Sequence, residues 1–530
     1  MMKNLFLILI LSLLTAPLVW AQDESNSSAT EKSAPTGDEN KADQYFFDEN
    51  YKSALGEYLI LLEEEPEDLK YNFNTGLCYL NSDFEQIKAI PFFEKVVFYD
   101  EEASTVYYLM GKAYQVDHQF DRAIDMFNKF IEFHDMGSEF SVEEAQIEIE
   151  YCENAYELMK FPKDCTFENL GGHLNSAYPD YFPFVTIDER FIAYTSKRDD
   201  GSVLMPNGTY ASNIYFSEVK DGEYQDGVPM PGATNDPAES EVIVGMSGEG
   251  DQILLMKGQE GISGDILSAD FHDGILDNMK PLDQKVNSKF REIAASYSLD
   301  GNSVYFVSDR PDGYGGTDIW IINKLPNGKW GVPFNAGPDV NSERDEDFPN
   351  LSPDGEFLYF SSKGHFSMGG YDIFKSKWNI DSLRFVNPRN LGYPINSVDD
   401  DMNFRISRSG RYGYMSALRE DGYGDYDIYR VTINEVESEY SVLLGEITSL
   451  ESQFDVLSAE ITVTFLNNGE LFGIYTPNPN SLRYVIILPP GEFEVFVDSP
   501  GFEPVSFEVK ILGKSSFQPE IVRDLKLQAK

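Results

Sequence analysis

From Glu39 to about Phe161 the apolar positions fall at helical spacing, and two features repeat every 34 to 35 residues. A small residue is followed three positions later by Tyr (Ala42/Tyr45, Gly76/Tyr79, Gly111/Tyr114). An Ala is followed four positions later by an aromatic (Ala54/Tyr58, Ala89/Phe93, Ala123/Phe127). Small residues let two helices approach closely, and the aromatics fill the space between neighbouring pairs. The spacing predicts helical units at about 35–68, 69–103 and 104–137, with Pro66 ending the first. A further helix from Val142 to Met159 is expected to cap the open end of the stack.

From Phe161 to about Asn434 the pattern changes to short strands. The best-formed stretch runs from Asp345 to Phe374. Phe348 to Ser352 reads as one strand. Ser352-Pro353-Asp354-Gly355 reads as a turn in which Gly355 takes a positive φ and closes a hairpin with a bulge. Glu356 to Ser362 is a second strand, and Tyr371 to Phe374 a third after a glycine-rich loop. Five copies are recognisable. Their turns lie at Ile187-Asp188-Glu189, Ser247 to Gly250, Ser298 to Gly301, Ser352 to Gly355 and Ser407 to Gly410. Their third strands begin at Asn213, Asp265, Asp318, Asp372 and Asp427. Glu189 stands where the better copies have Gly, and Glu249 where they have Asp. About four strands per 51 to 61 residues implies a five-bladed β-propeller. The segment Cys165 to Leu170 precedes any complete unit, so it is expected to complete the last one and close the ring. A third pattern, from Glu439 to Leu527, predicts seven short strands with Gly/Pro turns, a small β-sandwich.

The first 21 residues have a charged start at Lys3, an apolar run from Leu5 to Leu14 and small residues before Gln22. This is a secretory signal peptide, cleaved after Ala21. Residues 22 to 38 are a polar, flexible leader. The expected order is therefore signal peptide 1–21, leader 22–38, helical repeats with a capping helix 39–161, propeller 162–434 and sandwich 439–530. The class is multidomain, α then β. No later run is long and apolar enough to insert in a membrane. A formal charge of −49 argues against nucleic acid and anionic lipid as partners. The three cysteines, Cys78, Cys152 and Cys165, are too few for a disulfide framework. Cys78 falls on a buried helix face, while Cys152 and Cys165 either bridge in an oxidising compartment or stay thiols.

No catalytic signature stands out. The five His form neither HExxH nor an i, i+4 metal pair, and Gly261 to Asp265 misses the nucleophile-elbow pattern at its last position. No catalytic residue, metal or other cofactor is expected. Asp318, Asp372 and Asp427 recur in equivalent places, which fits hydrogen bonding at the start of a strand better than a catalytic carboxylate pair. The clusters Asp399-Asp400-Asp401 and Asp345-Glu346-Asp347 are the places where Ca²⁺ is conceivable, but they lack a known loop spacing.

The helical motifs resemble tetratricopeptide repeats, and the turns resemble the PD40, or TolB-type, propeller repeat. Pro489-Pro490-Gly491, Phe493 to Asp498 and Pro500-Gly501-Phe502 resemble the carboxypeptidase regulatory-like domain. The first resemblance implies a partner-binding groove with Asp43, Phe46, Phe73, Leu77, Tyr108 and Lys112 on its face. In this order the three domains resemble the PorE-type periplasmic proteins of Bacteroidota, linked to type IX secretion and gliding. That implies a periplasmic location at the outer membrane and envelope proteins as partners. Those relatives usually end in an OmpA-like domain that binds peptidoglycan. Only 19 residues follow Ile511 here, so peptidoglycan is not expected as a ligand. The resulting expectation is a non-enzymatic scaffold or adaptor. The alternative is a glycan-active enzyme or a carbohydrate-binding accessory protein that uses the propeller face.

Overall fold

The computed structural model describes residues 37–530, apart from 83–84, 135–137, 187–188, 221–222, 233–234, 237–238, 248–249, 259–263, 273, 299, 353, 408–411, 420, 435–440, 450–457, 479–481 and 512–519. The signal peptide, most of the leader, and the turn residues Ile187, Asp188, Glu249, Pro353 and Gly410 lie outside the described residues.

Among the described residues seven α-helices come first: α1 (Glu39–Phe47), α2 (Tyr51–Glu64), α3 (Leu69–Leu80), α4 (Ile90–Tyr99), α5 (Ser104–Val116), α6 (Phe120–Phe133) and α7 (Val142–Leu158). Each packs chiefly on its neighbours in sequence. Asp38, Asn50 and Asp68 cap α1, α2 and α3 through side-chain oxygens, and Ser141 with Glu144 forms a capping box on α7. The small-residue positions hold the helices together. A Cβ on Gly76 would lie 2.4 Å from the Phe93 ring, and one on Gly111 2.6 Å from the Phe127 ring. Gly111→Val therefore drives a branched side chain into a ring that is fully buried. It is expected to destabilise the helical array by about 1–3 kcal/mol, read as a lower urea midpoint.

Five antiparallel sheets follow. The first contains Asp180–Val185, Phe191–Ser196 and Asn213–Lys220, with short strands Glu223–Tyr224 and Val228–Pro229. The second contains Ser240–Met246, Gln252–Gly258, Ile266–His272 and Ile275–Pro281. The third contains Glu292–Tyr297, Ser303–Ser308, Asp318–Asn323 and Phe334–Asn335. The fourth contains Glu346–Leu351, Phe357–Ser362, Asp372–Asn379 and Arg384–Asn390. In the fifth, Met402–Ile406, Tyr412–Ala417 and Asp427–Ile433 are joined by Cys165–Asn169, whose register runs from Cys165 opposite Ile433 to Asn169 opposite Tyr429. The segment before the first sheet thus completes the last. The first strand of each sheet touches the first strands of two others, and these contacts run once round all five.

One side-chain device ties each sheet to the next loop. Asn175, Asn235, Asn287, Asn341 and Asn396 each accept from a third-strand backbone N–H, at 2.8–3.0 Å, and donate to the C=O of the same residue. Asp318, Asp372 and Asp427 each accept from a loop N–H four residues earlier, at 2.8, 2.9 and 2.6 Å. They are thus fixed by loop closure rather than paired across a site.

The turns behave as their glycines dictate, with Gly301 at φ +62 and Gly355 at φ +72. Glu189, in place of a glycine, is forced to φ +55 and accepts a hydrogen bond from the Tyr414 hydroxyl at 3.1 Å. The bulge expected at the Gly355 hairpin lies elsewhere. It falls between Asp347 and Asn350 in the first strand, where Phe348 takes φ +46. That strand also begins at Glu346, so the acidic pair Glu346 and Asp347, expected before the strand, is part of it and buried.

The C-terminal part has two sheets. Ser441–Ser449 pairs with Arg483–Leu488 and, in parallel, with Glu520–Val522 and Leu525–Leu527. Leu471–Tyr475, Glu460–Phe465, Gly491–Asp498 and Val505–Ile511 form the other. Alternating residues such as Ile461, Val463, Phe493, Val495 and Val497 fill the core between them.

α7 does more than cap the stack. Ala145, Ile149, Cys152 and Ala155 face the other helices. On another side, the Tyr151 hydroxyl donates to Lys363 O at 2.6 Å and Asn154 Nδ2 to Ser367 O at 2.8 Å, both in the fourth sheet's loop. Glu150 lies 3.6 Å from Arg344 of the ring and 3.4 Å from Arg483 of the C-terminal part. Asn478 Nδ2 donates to Glu153 at 3.2 Å. One helix thus touches all three parts. All three cysteines are free thiols, with Cys152 inside this contact, so the possible Cys152–Cys165 bridge is not formed.

Candidate binding cleft

The helices also meet the ring at a second place. A cavity of about 620 Å³ lies between them. Its helical wall is Gln86 and Ile87, ahead of α4, with Val116, Asp117 and His118 at the end of α5. Its other wall comes from the loops around the fourth and fifth sheets, including Tyr393, Asp399, Asp401 and Arg419, with Phe167 from the closing strand. The volume suits a ligand the size of a few side chains.

The wall chemistry is mixed. Asp399 is drawn above the usual carboxylate range by burial, with Asp400 adding to the effect and Lys112 opposing it. Asp401, 5% exposed, is pushed up to about 8 by burial, against the bonds it receives from Ser397. Arg419 lies with its guanidinium carbon 3.3 Å from the Phe167 ring centroid and donates to Pro394 O at 2.7 Å. Asp400 is taken up by the Tyr371 N–H at 2.8 Å, and Asp345 by the Thr317 N–H at 3.0 Å. Both acidic runs are therefore dispersed over separate backbone contacts. Among the described residues no group of three or more His, Cys, Asp or Glu is arranged to hold a metal ion.

The six groove residues are spread along the helices rather than gathered in this cleft. Asp43 accepts from the Tyr58 hydroxyl at 2.7 Å and from Lys70 at 2.6 Å. Phe46 packs edge-on against Tyr51 and Tyr58, Phe73 lies against Phe93, and Leu77 packs on the helical core. Tyr108 is 7% exposed, stacked on Phe140 at 3.9 Å, and Lys112 forms bonds of 2.9 and 3.0 Å with Glu148 of α7. α7 and the segment before it therefore occupy the third unit's share of that face, and Tyr108 is not open to a partner.

Side chains also meet across the ring axis. Phe182 and Phe348 approach to 4.4 Å between centroids, although they belong to the first and fourth sheets, whose first strands are not neighbours. Their contact therefore crosses the axis. Asn403 donates to Pro183 O at 3.3 Å, and Arg405, lowered to about 9 by burial, lies over the Phe184 ring.

The cleft residues Asp401 and Arg419 were not singled out from the sequence as a pair. A signal was present, because the second strands end in Ser-x-Arg at Arg198 and Arg310, and Arg419 holds the equivalent place.

No protein-family model matches the chain, and neither does any curated protein. Among solved structures, a gluconolactonase from Xanthomonas campestris is similar at 11% identity, over 51% of this chain and 90% of its own, with a TM-score of 0.29. The tricorn protease is 12% identical over 64% of this chain and 32% of its own, at 0.29. A catechol 1,2-dioxygenase from Acinetobacter radioresistens is 11% identical over 18% of this chain, at 0.14, and the match spans 53% of that enzyme. At such scores no activity is carried over from any of them. Among the described residues no helix is long and apolar enough to cross a membrane.

Proposed function

We propose that this protein is a non-enzymatic scaffold of the bacterial envelope, holding protein partners near the outer membrane within a type IX secretion or gliding assembly. In this reading the helices are a tetratricopeptide solenoid, the five sheets a five-bladed PD40 propeller, and the C-terminal part a carboxypeptidase regulatory-like sandwich. The small-against-aromatic pairs Gly76/Phe93 and Gly111/Phe127 and the once-round contact of the first strands support that division.

The observation that carries the function is α7. Its Glu150 alone lies near an arginine of the ring and an arginine of the C-terminal part, while its apolar face belongs to the helices. Fixing three modules at set angles presents several surfaces at once, which raises the effective concentration of partners bound to each. Turnover needs no such arrangement.

Affinity capture from envelope extracts, read by mass spectrometry, tests the proposal. Recovery of outer-membrane secretion or gliding components is expected. A capture without them, together with cleavage of a polysaccharide, overturns it.

A further inference from the structure

Ring symmetry fails at the cleft. In the first sheet, Arg198 Nη2 meets Asp180 at 2.6 Å, the acid that begins the first strand. In the third, Arg310 Nη2 meets Glu292 at 3.0 Å, and in the second Lys257 meets Glu241 at 2.5 Å. The corresponding residues of the fifth sheet are Arg419 and Asp401, and they are not joined. Arg419 is turned to Pro394 O and the Phe167 ring, and its Nε is buried without an acceptor. Asp401 receives both its hydrogen bonds, from Ser397 N at 2.6 Å and Oγ at 2.9 Å, on Oδ2, and none reaches Oδ1. Both residues line the 620 Å³ cavity. Asp399, on the same wall, makes no side-chain hydrogen bond among the described residues.

The buried Arg419 Nε lacks an acceptor, and Asp399 and Asp401 line the cavity with carboxylate oxygens that receive no donor among the described residues. A single ligand satisfies both if it carries a cation for the carboxylates and a carbonyl for Arg419. An extended peptide with a lysine or arginine does so, and Ile87, Phe167 and Tyr393 supply apolar wall for the aliphatic stem of that side chain. We propose that the cleft binds a basic side chain of an extended partner segment, its cation against the Asp399 carboxylate beside Asp401 and a backbone carbonyl on the Arg419 guanidinium. This deepens the scaffold reading and rests on it, since it makes the helix–ring junction one of the partner surfaces.

The test is calorimetric titration of the full chain with a capped heptapeptide, Gly-Ser-Lys-Gly-Lys-Ser-Gly. Parallel titrations use the same peptide acetylated on both lysines and 1,4-diaminobutane. Binding of the lysine peptide is expected to weaken about tenfold or more on acetylation and in Asp399→Asn. It should be unchanged in Asp277→Asn, which removes the same charge from an exposed position on the second sheet. Arg419→Met should weaken the peptide and leave the diamine unaffected. Circular dichroism of each variant separates loss of fold from loss of ligand. Equal losses in Asp399→Asn and Asp277→Asn would show attraction to net charge alone and overturn the assignment, as would binding of the acetylated peptide at full strength. A diamine that binds as tightly as the peptide overturns the carbonyl contact. Failed capture of envelope partners with cleft binding intact removes only the scaffold reading. Successful capture unaltered by Asp399→Asn, with no peptide binding, removes only the cleft.

Discussion

Tyr151→Ala is expected to uncouple the helices from the ring while leaving each folded. The side chain is 7% exposed and its hydroxyl donates to Lys363 O at 2.6 Å. Its ring lies 5.0 Å from the Arg344 guanidinium. Truncation removes the packing of a buried aromatic, about 3–5 kcal/mol, and leaves the Lys363 carbonyl short of a donor. That loss falls on the junction. The helical core is built chiefly from Phe93, Phe127, Phe130, Ile149 and their neighbours, with Met368 and Val398 of the ring and Val442 and Ile487 of the C-terminal part continuing it, while the sheets of the ring also have cores of their own. Wild-type protein should therefore unfold with the helices and ring coupled in one transition, and Tyr151→Ala should split it into two. Calorimetry reads the split, and limited proteolysis between α7 and Cys165 reads the loosened linker. A single transition merely shifted to lower temperature would show that α7 is a helix of the stack and no more. Capture of partners should also weaken in this variant if fixed angles matter, with the binding of any one partner to its own module retained.

The half of α7 that meets the helices was legible, and the half that meets the other modules was not, for a physical reason. Ala145, Ile149, Cys152 and Ala155 make an apolar stripe of helical period, which announces burial. Glu150, Glu153 and Asn154 look solvated, because polar side chains serve water and a partner's backbone equally well. Only the Ser367 carbonyl opposite Asn154 and the two arginines beside Glu150 tell the cases apart, and these lie far along the chain. The strands were more legible. Their turns need positive φ at one place, so Gly301 and Gly355 mark each hairpin, and the recurrent Asn and Asp mark each loop closure by hydrogen bonding that only those side chains provide at that reach. The start of the fourth sheet was misplaced because Glu346 and Asp347 are acids, and acids are poor strand formers until a neighbour's hydroxyls and amides receive them. The groove residues had correct helical spacing, yet Glu148 and Phe140 lie over Tyr108 and Lys112, a contact that spacing within α5 does not encode.

The same missing symmetry that opens the cleft gives the molecule an unusual dependence on pH: it should become more stable on acidification from pH 8.5 to 6. In the fourth sheet the place held by Arg198 and Arg310 elsewhere is Gly364, where a Cβ would lie 1.9 Å from Ser342 Oγ. No arginine fits, and Glu346 meets only hydroxyls and an amide: Ser342 Oγ at 2.6 Å, Ser362 Oγ at 2.7 Å and Ser342 N at 3.0 Å. Burial pushes it up to about 8, against those bonds. Burial likewise pushes Asp347 up to about 7, Asp401 up to about 8, and Glu153 up to about 7. In the unfolded chain these groups titrate near 4. The folded state therefore holds protons that the unfolded state releases between about pH 4 and 8. Their favourable contribution is complete below pH 4 and is lost as pH rises through 7 to 8. Each unit of difference is worth about 1.4 kcal/mol, so even a fraction of these shifts gives an effect of several kcal/mol.

Glu346→Gln separates this set from the general relief of repulsion in a chain of charge −49. The amide resembles the protonated acid. Its oxygen can accept from Ser342 N, and its NH₂ can donate to the two hydroxyls, which rotate to receive it. The variant should melt higher than wild type at pH 8.5, equal it near pH 5, and show a shallower rise in between. Thermal melts across that range, at fixed ionic strength, read all three. A variant that melts lower at pH 8.5 would mean that Glu346 is held as a carboxylate by its three donors, and that hydrogen bonding outweighs burial at this seam.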